Sequence, residues 1–186
     1  MGIGTPLLRV QRLFTKVSVV PLRSTADDQP SAATLGEPGL NVRVVLQRVA
    51  AAAVRVNDEV VGSIGPGLLA LVGVGQESTS DDAAWLASKT ADLRIFEDGA
   101  GRMNRSVREI DGAVLAVSQF TLYGDPRKGR RPSFVRAAEP ERARHLYDLY
   151  CAALPVNVQR GVFGRHMRIS AEADGPVTIL LEREGS

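Results

Sequence analysis

A chain of 186 residues, 44% hydrophobic and 24% charged, has the make-up of one ordinary globular domain and lacks the length for a second full domain. One cysteine and two histidines exclude an internal disulfide and leave too few soft ligands for a structural zinc site, so no metal or cofactor is expected. The net charge of +2 is too small to draw in a polyanion by bulk field, and no apolar run approaches the roughly 18–20 residues of a membrane span; a cytoplasmic, soluble protein is expected.

Residues 1–41 carry Pro6, Pro21, Pro30 and Pro38 and keep no period of two or 3.6 residues. They read as an N-terminal extension, either disordered or the product of an upstream start choice. Arg9, Arg12, Lys16 and Arg23 with no acid before residue 27 give it an organelle-presequence flavour, without an uninterrupted amphipathic helix.

Domain patterning runs over 42–184. Residues 42–49 are β-branched and predict a strand. A second run, 53–56, meets Val60-Val61 across Asn57-Asp58, a pair suited to a tight hairpin turn. Gly65-Pro66-Gly67 breaks the chain before a buried strand over 68–74. Ser80 is placed to cap a helix over 81–94, with Asp81 and Asp82 at its positive end and Trp85, Leu86 and Leu93 turned toward the sheet. Residues 94–96 read as extended and 99–101 as a turn; 113–120 is a strand. Pro140 opens a helix over 141–154 with an apolar face of Leu146, Leu149, Tyr150 and Ala153, and strands over 156–162, 167–171 and 177–182 close the domain. Short hairpins alternating with two helices predict an α/β class of α+β type: a curved, mostly antiparallel sheet or partial β-barrel covered by two helices. A Rossmann glycine fingerprint is missing.

Ser118, at the end of an apolar strand, is a candidate nucleophile, but it lacks the G-x-S-x-G elbow. The available bases are His145, beside Arg142, Arg144 and Asp148, and His166. A hydroxyl satisfying backbone groups at a strand exit describes Ser118 better than a triad member does. The whole string 118–125 is more specific: Gln119 can donate to a carbonyl or oxyanion, joined by backbone N–H groups after the strand. Arg127, Lys128, Arg130 and Arg131 form a basic loop between Pro126 and Pro132, either solvated or facing a polyanion. Gly175-Pro176, taken alone, is a turn before an apolar strand.

Taken together, the strings at 44–49, 65–69, 94–96, 103–104, 118–125, 128–134, 163–164 and 175–178 make the chain resemble the D-aminoacyl-tRNA deacylases, the D-tyrosyl-tRNA(Tyr) deacylase family, over nearly all of 42–182. The resemblance implies a homodimer that hydrolyses the ester of D-aminoacyl-tRNA, and of mischarged glycyl-tRNA, with tRNA as partner. It implies a cis Gly175-Pro176 peptide inserted into the other subunit's pocket, rejecting L-amino acids by clash. Ser118, Gln119, Phe120 and Thr121 would shape the pocket and its oxyanion contacts, with no side-chain nucleophile and the terminal 2′-hydroxyl helping to activate water. Arg48, Met167 and Thr178 complete the implied substrate-binding set, Arg48 bracing the Gly-Pro element; Arg127, Lys128, Arg130 and Arg131 would meet tRNA phosphates. Two departures stand out: Ala173 where Asn is usual, and Arg105 where an apolar residue is common. The competing readings are a non-catalytic tRNA-binding module and a serine esterase using Ser118.

Overall fold

In the computed structural model, residues 41–127 and 129–183 are described. The extension expected over 1–41, apart from Asn41, lies outside them, as do Lys128 and the end of the expected domain at 184.

The first strand, β1 (Arg43–Val56), is one 14-residue element where the sequence suggested two runs. It stays continuous by bulging. Opposite the last strand its register slips between Val49 and Ala51, leaving Ala50 as an extra residue that flips the face of everything after it. Val44 and Leu46 enter one core; Val49 faces a second by simple alternation, and the slip keeps Ala52 and Val54 on that same side. Asn57 and Asp58 both take positive φ (49° and 67°), the type I′ geometry that turns β1 into β2 (Glu59–Ile64).

β3 (Gly67–Gly73) pairs antiparallel with the first half of β1, and β2 with the second half. Along the other side of β1 lies β8 (Arg168–Glu182), also antiparallel, a single strand where the sequence suggested two. β6 (Ala113–Ser118) adds parallel to β3, and β7 (Asn157–Arg160) parallel to β6. Alternation within a strand does not reveal direction. Parallelism comes from the long crossovers, which carry the two helices. A short ribbon of β4 (Phe96–Glu97) and β5 (Met103–Arg105) stands apart. The expected curved sheet with two helices, antiparallel in most of its pairings, is borne out.

Thr79, not Ser80, caps α1 (Ser80–Asp92): its hydroxyl accepts from the Asp82 N–H while the Asp82 carboxylate accepts from the Thr79 N–H. The buried stripe is Ala83, Leu86, Ala87, Thr90 and Ala91, in which the three alanines let the helix lie close. Trp85, expected inward, is 42% exposed with the Arg183 guanidinium 5.9 Å from its ring centre. In α2 (Pro140–Ala153) Tyr147 and Cys151 join Leu146 and Tyr150 in the buried face, while Ala153 is exposed. A hydroxyl pair, Thr90 and Tyr150 at 3.0 Å, ties the helices together inside the larger core. Among the described residues no helix is long and apolar enough to cross a membrane.

Candidate functional site

The parallel register of β3 and β6 places Ser118 opposite Val72. The strand ends there, two residues before the expected limit, because the Gln119 N–H bonds to the Val72 carbonyl (2.7 Å) and the chain then winds into a 3₁₀ turn, Phe120–Tyr123. Gly73 makes room for that turn. A Cβ on it would stand 3.1 Å from the Gln119 oxygen, the Leu122 Cβ and the Tyr123 ring.

This corner opens on a cleft of about 410 Å³. Ser118, Gln119 and Phe120 line it from this corner, and Ala143, Tyr147 and Phe163 from other elements. Phe120 and Phe134 meet edge to face, 5.1 Å between centres, at the rim. The Tyr147 hydroxyl donates to the Ala116 carbonyl (2.9 Å), and burial pushes its ionisation far up, so it stays neutral and fixed. Thr121 is exposed and does not line the cleft; its hydroxyl accepts from the Gln119 side-chain amide, setting that amide's direction. His145 and His166 are exposed and neither lines the cleft. Ala143 and Tyr147 were not singled out in the sequence, although they are spaced i, i+4 on a helix.

Arg48 is buried, 5% exposed, and its guanidinium is held at two of its nitrogens. Nε donates to the Asp174 carbonyl (3.1 Å) and lies 3.0 Å from the Asp174 carboxylate; Nη1 donates to the Ile95 carbonyl (2.6 Å). Opposite this one residue, residues 174–177 of β8 loop out between the Gln47–Thr178 and Val49–Ala173 pairs. Gly175-Pro176 is therefore the tip of a bulge braced by Arg48 and not a turn joining two strands. The Gly175-Pro176 peptide is cis and Gly175 has φ 124°; a Cβ there would meet Val177 at 2.9 Å and Arg48 Nη2 at 3.2 Å. Thr178 is exposed at the end of the bulge, and Met167 packs beside Gly161 against the second core.

The cleft and the bulge do not meet within one chain. From Ser118 to the bulge is three strands across and four residues along, about 14 Å and about 13 Å at usual sheet spacings. Neither Arg48 nor residues 174–178 line the cleft.

The basic loop is closed by backbone bonds between Asp125 and Ser133 (2.8 and 2.9 Å). Arg127 chelates the Asp125 carboxylate (2.7–3.0 Å) and holds its pKa down to about 2, while Arg130 and Arg131 are exposed. Arg105 is exposed and donates to the Glu109 carbonyl. No group of His, Cys, Asp and Glu among the described residues could hold a metal ion.

Cys151 is 2% exposed, and burial pushes its thiol up to about 11. Folding thus favours the protonated thiol, a contribution complete below pH 9.0 and lost as pH rises through about 11. The native protein at pH 8 is expected to react with a thiol reagent at least about 100-fold more slowly than the urea-unfolded chain; equal rates would show Cys151 to be accessible.

A family model described as D-Tyr-tRNA(Tyr) deacylase matches residues 45–182. A D-aminoacyl-tRNA deacylase of Thermus aquaticus is 54% identical over 144 residues, covering 76% of this chain and 95% of that protein. The Thermomicrobium roseum protein of the same name is 55% identical over 144 residues, 76% and 94% covered. Among solved structures, a c-Myc DNA unwinding element binding protein superposes with TM-score 0.72 at 36% identity over 77% of this chain and 99% of that one. A probable eukaryotic D-amino acid tRNA deacylase, at 21% identity and TM-score 0.66 over 75% and 98%, shares the fold. With the family model spanning both the Ser118 corner and the Arg48-braced bulge, the resemblance read from the sequence is borne out: this chain belongs to the D-Tyr-tRNA(Tyr) deacylase family.

Proposed function

We propose that the protein hydrolyses the ester joining a D-amino acid, or a mischarged glycine, to the terminal adenosine of tRNA, with Gly175-Pro176 of one copy completing the cleft of another. The observation that carries this reading is the cleft itself: it presents an oriented amide, Gln119, at a strand exit and holds no histidine among its lining residues. The N–H of Phe120, first in the 3₁₀ turn and lining the cleft, has no preceding turn to accept it. Together with the Gln119 amide it suits the oxyanion of ester hydrolysis, which needs donors and no protein base if the terminal 2′-hydroxyl helps to activate water.

A second copy is called for because the bulge is remote from its own cleft. β8 offers the surface: it is an edge strand with Ile169 38% and Leu180 57% exposed, apolar side chains that a partner would cover. Pro176 would then act as a wall with no space beyond it for an L side chain. Ala173 in place of Asn does not leave the bulge unbraced, because Arg48 bonds the neighbouring Asp174 through carbonyl and carboxylate. Arg130 and Arg131, with Lys128 and with Arg127 clamping the loop through Asp125, would meet tRNA phosphates.

Release of amino acid from D-tyrosyl-tRNA and L-tyrosyl-tRNA tests this directly. The D ester is expected to be cleaved at least about 100-fold faster. Ser118→Ala and a serine-directed reagent should leave the rate within about tenfold, and a terminal 2′-deoxyadenosine should abolish it. Inactivation by the reagent would favour the serine esterase; no release from either ester would favour the binding module.

A further inference from the structure

At the rim of the cleft Phe120 is 58% exposed and Phe134 37%, and Val135, next in the chain, is 73% exposed. The two rings touch edge to face, 5.1 Å between centres and 67° between planes. In that arrangement an edge meets one face of one ring, so each ring keeps a face free of the other. Aromatic surface left open at the mouth of a cleft marks a place shaped for a ligand.

The rim rests on a fixed support. The Gln76 N–H donates to the Arg136 carbonyl (3.2 Å), the Ala137 N–H to the Phe134 carbonyl (3.0 Å) and the Ala138 N–H to the Val74 carbonyl (2.9 Å), which seats 134–138 against the chain just past β3. The Gln76 side-chain amide adds a bond to the Val135 carbonyl (2.5 Å). Phe120 opens the 3₁₀ turn, and Gly124, at its end, lies close against Phe134: a Cβ there would stand 3.0 Å from that ring and 3.1 Å from the Thr121 oxygen. Rings held on such a base need little ordering when a planar ligand arrives. The rim also adjoins both the cleft and the basic loop. Both rings line the cleft, and Phe134 follows Ser133, which pairs with Asp125 to close the loop that carries the exposed Arg130 and Arg131. Open aromatic faces beside exposed guanidiniums are the combination that grips unpaired nucleotides: cations follow the phosphates, and bases of any identity stack on the rings.

We propose that Phe120 and Phe134 form a stacking platform for one unpaired base of an RNA 3′ strand, the base that precedes the terminal nucleoside whose ester occupies the cleft. The inference rests on the reading of the cleft as an aminoacyl-ester site. The rings line the mouth of the cleft itself, so the nucleotide they meet is the one next to the terminal nucleoside. Stacking there fixes the strand's end, and with it the ester facing Gln119, without reading sequence. It gives the two side chains a positioning role, distinct from the phosphate contacts of the 127–131 loop.

Two measurements separate this from the reading it rests on. The first is binding of an uncharged RNA oligonucleotide ending in CCA, beside the same oligonucleotide with its penultimate base removed. The full-length wild-type chain is expected to bind the abasic RNA about tenfold or more weakly. Phe120→Leu and Phe134→Leu should each bind the two RNAs within about twofold of each other, while Phe134→Tyr, which keeps the ring, should retain the wild-type difference. The second compares D-tyrosyl esters of a CCA trinucleotide and of its abasic counterpart. Removing the base should lower kcat/KM about tenfold or more in the wild-type chain and much less in either leucine variant. Each protein is compared with itself on two ligands, so a general loss of folded protein cancels. A base effect absent from the wild-type chain, or equal in the wild type and both leucine variants, would overturn the platform. A base effect on RNA binding that depends on the rings, in a protein that cleaves neither the D- nor the L-tyrosyl ester, would overturn the hydrolase reading and keep the platform.

Discussion

Arg48→Met is expected to lower the unfolding free energy by about 3 kcal/mol and deacylation by at least about 100-fold. The side chain is 5% exposed, and losing its charge leaves the Ile95 and Asp174 carbonyls without their donor. An unsatisfied buried acceptor costs roughly 1–3 kcal/mol, and Ile95, itself buried, offers little access to water. The Asp174 carboxylate is about half exposed, so the ion pair itself contributes little beside those bonds. Activity would fall further than stability, because residues 174–177 leave the ladder opposite this one residue and Arg48 holds their first carbonyl. Arg48→Lys should regain part of the stability and less of the activity, since an ammonium cannot reproduce the fork between Ile95 and Asp174. Urea unfolding beside D-tyrosyl-tRNA hydrolysis checks both. A variant with wild-type midpoint and rate would show that the bulge stands without its brace.

The second large effect is expected from Gly67→Ala. A Cβ on Gly67 would lie 2.0 Å from the Ala113 carbonyl oxygen, a backbone atom with nowhere to go. The parallel β3–β6 pairing begins at this contact and ends at Val72 with Ser118. Forcing the strands apart at one end removes ladder bonds and tilts the other end, where the Gln119 corner leaves the sheet. A loss of more than about 3 kcal/mol is expected, a fall in Tm of about 6–12 °C, with reduced hydrolysis. Gly65→Ala is the control: nothing stands within 4 Å of its Cβ, and the change should stay within about 0.5 kcal/mol. A Gly67→Ala protein that melts like the control would mean that the strands meet less closely than described.

Much of the fold was legible because local chemistry decided it. Asn57-Asp58 demanded a hairpin, Pro140 opened a helix, and the apolar run at 68–74 became the central β3. What escaped depended on partners distant in sequence. The bulge at Ala50 hides in an alanine run whose side chains do not announce a face, so β1 read as two pieces. The bulge at Gly175-Pro176 looked like a turn because glycine and proline punctuate both, and only Arg48, 126 positions away, distinguishes them. Trp85 misled as the largest apolar residue of its helix; Ala83 and Ala87 face inward because close packing favoured small side chains. In the candidate site, Ser118, Gln119 and Phe120 were found from their string, which also joins them in space. Tyr147 and Phe163 arrive from other elements, and no short window contains them together with that string.

The continuity of β1 constrains how this protein can open. The strand hydrogen-bonds β2, β3 and β8 and sends side chains into both cores. Its amides bond alternately to β8 on one side and to β3 or β2 on the other, so the whole strand exchanges only when both sides release it, which places it in the slowest-exchanging unit of the molecule. Arg48 belongs to that unit, so the bulge it braces is anchored in the last part of the structure to breathe. The bulge therefore keeps its shape through every opening that leaves this unit intact.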